Sequence, residues 1–251
     1  MTTDDGSLIY GYKPVVEALE VDPAGIEVLW VATGRKRGLE RIEKAARAAR
    51  VRLEWMSEAD LNARCGHGNH QGVAARAAAL QTLDLEEVLG RLEGLPRAVV
   101  LVLDQLQDPQ NLGAILRTAG AMGVAAVITP DRRACPINAT VVRASAGVAR
   151  RVPIAQVSNI RDALDRLKAA GCWVSGAVAD AGQPPWHVDL TGRTVLVLGS
   201  EGRGIRPRVL DGCDFRLTIP LADGVESLNV SAAAAALLFE IRRQQLCVVT
   251  P

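Results

Sequence analysis

Apolar residues recur along this chain with spacings that change near residue 79, and the change divides it in two. Before that point, helical spacing over residues 13–20, 39–50 and 58–64 alternates with short β-branched runs at 26–32, 51–55 and 72–76. Gly38 and Ser57 stand where the second and third helices would begin. The pattern predicts a small α/β unit over residues 1–78, with disorder expected only within residues 1–7. Residues 79–97 change character: an Ala tract, an acidic amphipathic stretch at 84–92, then Gly94 and Pro96, as in a linker.

From residue 98 the pattern becomes a longer alternation. Residues 98–104 are an almost unbroken apolar run, as expected for a strand covered on both faces. Helical spacing over 111–122, 138–149, 160–170 and 229–245 then alternates with extended runs at 125–129, 152–157, 173–178, 194–199 and 215–219. Such alternation predicts a mostly parallel, doubly wound sheet with helices on both faces over residues 98–251. Gly123 and Gly171 stand as left-handed helix caps, and Ser158 and Asn111 as N-caps.

Three polar islands interrupt this apolar sequence: DPQNLGAILRTAG at 108–120, LVLGSEGRGI at 196–205 and IPLADGVESLNVSAAAAALLFE at 219–240. Each follows an expected strand and leads into a loop or helix, which is where open α/β sheets place ligands. Asn111, Arg117, Glu201, Ser227 and Asn229 are therefore candidates for one site. Taken singly, each island also has a plain structural reading: a capped helix with a surface Arg, a glycine turn, and an Ala/Leu helix capped by Asn229 or Ser231. The second island is neither a dinucleotide fingerprint nor a phosphate loop, because it lacks the GxGxxG and Gly-Lys-Ser/Thr patterns.

Composition narrows the class. With 49% apolar and 23% charged residues the chain has the balance of an ordered globular protein. No apolar run approaches the roughly 18 residues of a membrane span, and the N-terminus lacks a basic-then-apolar signal, so a cytoplasmic protein with no membrane association is expected. Cys65, Cys135, Cys172, Cys213 and Cys247 are odd in number, scattered and never in a CxxC pair, which argues against a disulfide framework or a zinc ribbon. The Cys65, His67 and His70 group reads as a loop rather than a metal site, so no metal is expected; His187 reads as a loop residue. Tyr10, Tyr12 and Trp55 lie close to apolar runs, and packing is expected of them rather than base stacking.

A net charge of +1 gives no global support for a nucleic-acid partner. Its distribution differs: only four of the 29 basic residues are Lys, and Arg gathers in expected loops at 35–37, 132–133, 150–151 and 203–208. Arg presents a planar fork of donors suited to phosphate, although high Arg content alone is more simply a solvated surface.

Together the three islands, in residue type, internal spacing and order, resemble the signature motifs of the SpoU/TrmH branch of the SPOUT methyltransferases. The likeness runs from about residue 98 to 245 and includes RASAGVARRVP at 143–153. The IYGYKPVVEAL, EVLWVATGR and NHQGVAARA stretches are similar to the small substrate-binding domain of the subgroup that methylates guanosine ribose in large-subunit rRNA.

The resemblance implies a trefoil knot at the C-terminal end of the sheet, a small L30e-like N-terminal domain that captures RNA, and a homodimer. S-adenosyl-L-methionine is the implied cofactor, held by Gly199, Ile219 and Leu228 largely through backbone groups. It further implies ribose 2′-O-methylation, with 23S rRNA or a ribosomal precursor as the RNA partner. Arg117 is implied to organise phosphate and hydroxyl, Asn111, Ser227 and Asn229 to orient Arg117 and the ribose, and Glu201 to fix Arg117 or its own loop. The third motif departs from the family pattern: Leu221 and Asp223 stand where Met and Gly are usual, and Gly224 comes one residue late, so a different loop geometry is expected there. A tRNA substrate or a resistance-type rRNA site is the alternative within the class. A non-catalytic RNA-binding assembly factor is the alternative outside it.

Overall fold

A computed structural model of the chain describes residues 8–34, 39–66, 68–78, 80 and 82–247. Gly38, His67, Ala79, the Arg35–Lys36–Arg37 cluster and residues 1–7, all singled out above, lie outside the described residues. The chain forms two compact units, one of residues up to Leu80 together with Ile137–Arg150, the other of Gln81–Pro136 and Arg151–Pro251.

In the first unit a mixed sheet has the order β1-β4-β2-β3, formed by β1 (Leu8–Tyr10), β2 (Ile26–Ala32), β3 (Leu53–Met56) and β4 (Val73–Ala77). Strand alternation sorts its core onto two faces. Leu29, Val31, Val73 and Ala75 pack with Val15 and Leu19 of α1 (Tyr12–Val21) and Ile42 and Ala46 of α2 (Glu40–Ala48). Val28, Trp30 and Ala74 pack instead with Leu61 and Cys65 at α3 (Glu58–Arg64). Ser57 caps α3 as expected, accepting from the Asp60 N–H. The buried His70 uses both ring nitrogens, on Asn62 Oδ1 and the Gly72 N–H, to fix the turn before β4.

Two expectations are corrected in this unit. Tyr10 and Trp55 are 40% and 45% exposed rather than packed away, because both lie in strands at the edges of the sheet; Tyr12 does pack against the α1/α2 core. The expected helix at 138–149 stops early: α6 spans Ala139–Ala144, the chain turns through left-handed Ala146 and Gly147, and a 3-10 turn follows at Val148–Arg150. Arg150 is consumed there, paired with Asp22 and donating to the Gly25 and Ala78 carbonyls.

The second unit is a parallel sheet of order β10-β8-β9-β5-β6-β7. Its strands are β5 (Ala98–Asp104), β6 (Ala126–Pro130), β7 (Ile154–Val157), β8 (Trp173–Ala177), β9 (Arg193–Gly199) and β10 (Phe215–Leu217). Every residue of β5 is buried, and complete burial of each large aliphatic side chain contributes roughly 1.5–3 kcal/mol. On one face Val100, Val102, Val195 and Val197 meet Val88 and Leu92 of α4 (Leu85–Leu92), Leu164 and Leu167 of α7 (Ile160–Ala169) and Val209 of α8 (Pro207–Leu210). On the other face α5 (Pro109–Met122) and α9 (Val230–Cys247) pack against each other, and α9 packs against β9.

Local signals explain the helix starts. Asp84 and Glu87 form a reciprocal capping box on α4. Asp108, not Asn111, caps α5, accepting from the Gln110 and Asn111 N–H groups, because Pro109 already has the fixed φ of a first helical residue. Asn159, not Ser158, caps α7, since its Oδ1 reaches the N–H groups of Arg161 and Asp162. Gly123 ends α5 in the left-handed conformation expected of it. Among the described residues no helix is long and apolar enough to cross a membrane.

Candidate active site

Strand order places the site. From β5 the chain steps outward through β6 and β7, while β8, β9 and β10 lie on the other side of β5. The direction of winding therefore reverses between β5 and β9, and the C-terminal ends of such neighbours open a crevice. Those ends are Asp104 and Gly199, which face each other in register.

Beyond Gly199 the chain folds back on itself. Ser200 and Gly204 exchange backbone hydrogen bonds of 3.1 and 2.9 Å, with Gly202 and Gly204 left-handed. A Cβ on Gly199 would lie 2.0 Å from the Gly204 carbonyl carbon, so only glycine admits this closure. Glu201 projects from the closed loop.

Its carboxylate joins three elements. Asn111, in the first turn of α5 and only 8% exposed, donates from Nδ2 to Glu201 Oε1 at 3.0 Å. Asn229, immediately before α9, donates from Nδ2 to the same oxygen at 2.7 Å and to Asn111 Oδ1 at 3.0 Å. Asn229 Oδ1 in turn accepts from Ser231 N and Oγ at 2.9 and 2.6 Å, so Asn229 is at once the N-cap of α9 and a member of the network. Every amide oxygen in the trio is used, while Glu201 Oε2 has no hydrogen-bond partner among the described residues.

The network borders a cavity of about 550 Å³. Gly199, Glu201, Ile219, Ser227, Leu228 and Asn229 all line it, with Val178 and Leu221 among its apolar walls. The altered third motif forms a turn in which Val225 N donates to Ala222 O and Gly224 is left-handed, leaving Leu221 on the cavity wall. Arg117 stands apart: six residues beyond Asn111 on α5, it is exposed and makes no hydrogen bond or ion pair among the described residues.

Sequence reasoning missed Asp104 and Arg206. Asp104 is completely buried, and Arg206 grips it from both backbone and guanidinium. The available signal was a single carboxylate closing a strand that is otherwise wholly apolar.

The SpoU rRNA methylase family model matches residues 98–239, more than half of the chain, and a model of the RNA 2′-O ribose methyltransferase substrate-binding domain matches residues 8–83. The chain belongs to the SpoU rRNA methylase family. Within the family, it is 39% identical to the 23S rRNA (guanosine-2′-O-)-methyltransferase RlmB of Pseudomonas aeruginosa, over 94% of this chain and 96% of that one. It is 41% identical to the RlmB of Ralstonia nicotianae, over 96% and 97%. Among solved structures, an AdoMet-bound rRNA methyltransferase from Sinorhizobium meliloti superposes with a TM-score of 0.67 at 25% identity, over 97% of this chain and 88% of that one. The SpoU methyltransferase AviRb from Streptomyces viridochromogenes shares the fold with a TM-score of 0.72 at 24% identity, over 98% and 92%.

Proposed function

We propose that this protein transfers the methyl group of S-adenosylmethionine to the ribose 2′-hydroxyl of a guanosine in 23S rRNA, working as a cytoplasmic homodimer. The observation that carries the reading is the Asn111–Glu201–Asn229 network at the edge of the switch-point cavity. Its volume lies within the roughly 300–1,000 Å³ typical of small-molecule sites, and its walls mix aliphatic side chains with the backbone of the glycine loop, which suits a nucleoside joined to an amino acid. Gly199, Ile219 and Leu228 hold the cofactor in this reading. When bound, S-adenosylmethionine supplies an electrophilic methyl group.

The chain's own residues supply position. An oxygen nucleophile must lie in line with the bond that breaks, so much of the rate comes from holding the ribose still. A guanidinium offers five N–H donors and no acceptor, so Arg117 serves as a clamp for phosphate and hydroxyl, not as a base. Ser227 and Asn229 orient the ribose from the cavity wall. Arg117 and Glu201 Oε2 both lack a partner among the described residues, and a homodimer would pair them. The faces available for it carry small exposed residues, Gly120 and Ala121 on α5 and Ala232 and Ala236 on α9, with Phe239 59% exposed beside them. The trefoil knot belongs to this proposal too, at the end of the sheet where segments 199–205 and 219–229 border the cavity. The unit containing residues 8–80 captures the RNA.

Incubating the protein with S-adenosylmethionine and purified 23S rRNA or tRNA, then digesting to nucleosides for mass spectrometry, tests the reaction. 2′-O-methylguanosine from 23S rRNA is expected; its appearance only in tRNA would overturn the substrate assignment.

A further inference from the structure

Strand β5 reads AVVLVLD, and its last residue is the chemically incongruous one. Asp104 is completely buried, where an ionised carboxylate is tolerated only if paired and hydrogen-bonded. Among the described residues, every hydrogen bond to its carboxylate comes from Arg206. The Arg206 backbone N–H donates to Oδ2 at 2.9 Å, Nε lies 2.9 and 3.1 Å from Oδ1 and Oδ2, and Nη2 is 2.6 Å from Oδ1. This is a planar fork on a carboxylate, the most directional ion pair side chains make.

The place of the pair in the fold gives it a role. Arg206 lies two residues past Gly204, where the Glu201 loop closes on Ser200, and Ile205 between them is buried in the core. Asp104 pairs in register with Gly199, where the same loop begins. One carboxylate on β5 thus stands beside the start of the loop and grips its end, while touching neither Glu201 nor the cavity. We infer that Asp104 and Arg206 are a positioning pair that sets the backbone of residues 199–204 and the Glu201 carboxylate for the cofactor. This rests on the reading of the cavity as the S-adenosylmethionine site.

A loop freed at one end would still fold but would be ordered only by binding, and that ordering cost appears in affinity. Arg206→Ala should therefore raise the KM for S-adenosylmethionine, and its Kd by calorimetry, by about 10-fold or more. The kcat at saturating cofactor should stay within about 3-fold of wild type. Arg206→Lys, which keeps the charge and the backbone N–H but loses the fork, should recover part of that affinity. Adding Asp104→Asn to Arg206→Ala should weaken binding little further, since both changes remove one interaction.

A purely structural pair predicts the opposite split, a smaller active fraction that lowers kcat at unchanged KM. Wild-type protein that binds S-adenosylmethionine while Arg206→Ala binds it equally well would overturn the inference and leave the proposed function standing. Failure of wild type to bind the cofactor would overturn both. Should Arg206→Ala fold poorly, because it leaves the buried Asp104 carboxylate without its ion pair, the Arg206→Ala/Asp104→Asn double variant and Arg206→Lys carry the test alone.

Discussion

Asn111 lies in the first turn of α5 with its backbone N–H already satisfied by Asp108, which leaves the side-chain amide free to bridge Glu201 and Asn229. That division of labour was half legible in the sequence. An Asn before an apolar run signals a helix start, but cap and site residue are the same amino-acid type, and only the Pro at the first helical position separates them. Glu201 was legible as a carboxylate set among glycines; its two amide partners were not, since they come from residues 90 positions before and 28 after it. Arg117 shows the converse, a residue marked by its motif that finds no partner among the described residues. Arg117→Ala is expected to lower kcat by at least about 100-fold while leaving the Kd for S-adenosylmethionine unchanged, as calorimetry would show. An equal loss of cofactor binding would remove Arg117 from its assigned role.

The elements most visible in sequence were those with several periods of pattern. Strands β5 and β2 fall where apolar spacing puts them, because each is long enough to repeat its signal, and the short helix α3 was marked by its cap Ser57. Strand β1 and helix α8, of three and four residues, escaped notice for the opposite reason, and α6 was overextended because nothing in SAG announces left-handed backbone at Ala146. The cap of α5 can be tested as an element. Asp108→Ala leaves the Gln110 and Asn111 N–H groups without their acceptor, and should cost about 1 kcal/mol in urea unfolding. Because those groups carry the turn that aims Asn111, kcat should fall as well; a stability loss with unchanged kcat would show that Asn111 is aimed by Glu201 and Asn229 alone.

For the whole molecule, alternation gave the parallel sheet but not its order. Nothing in the spacing of apolar runs tells that β9 inserts between β5 and β8, yet that insertion creates the crevice. The grouping of Ile137–Arg150 with the N-terminal unit was equally hidden, since it depends on Arg150 meeting Asp22, 128 residues away. Removing residues 1–78 should weaken RNA binding in filter assays while retaining affinity for S-adenosylmethionine. It should also make Arg143 and Arg150 tryptic sites, because their partners Glu17 and Asp22 go with the deleted unit; resistance at both would show that the segment holds its conformation without that unit.

The most direct measurement is transfer of labelled methyl from S-adenosylmethionine to total RNA of a strain lacking this protein, with the product mapped by ribose-methylation-sensitive primer extension. Label at one guanosine of 23S rRNA is the expected result. Absence of label from both naked RNA and ribosomal precursors would contradict the enzyme and leave an RNA-binding protein in its place.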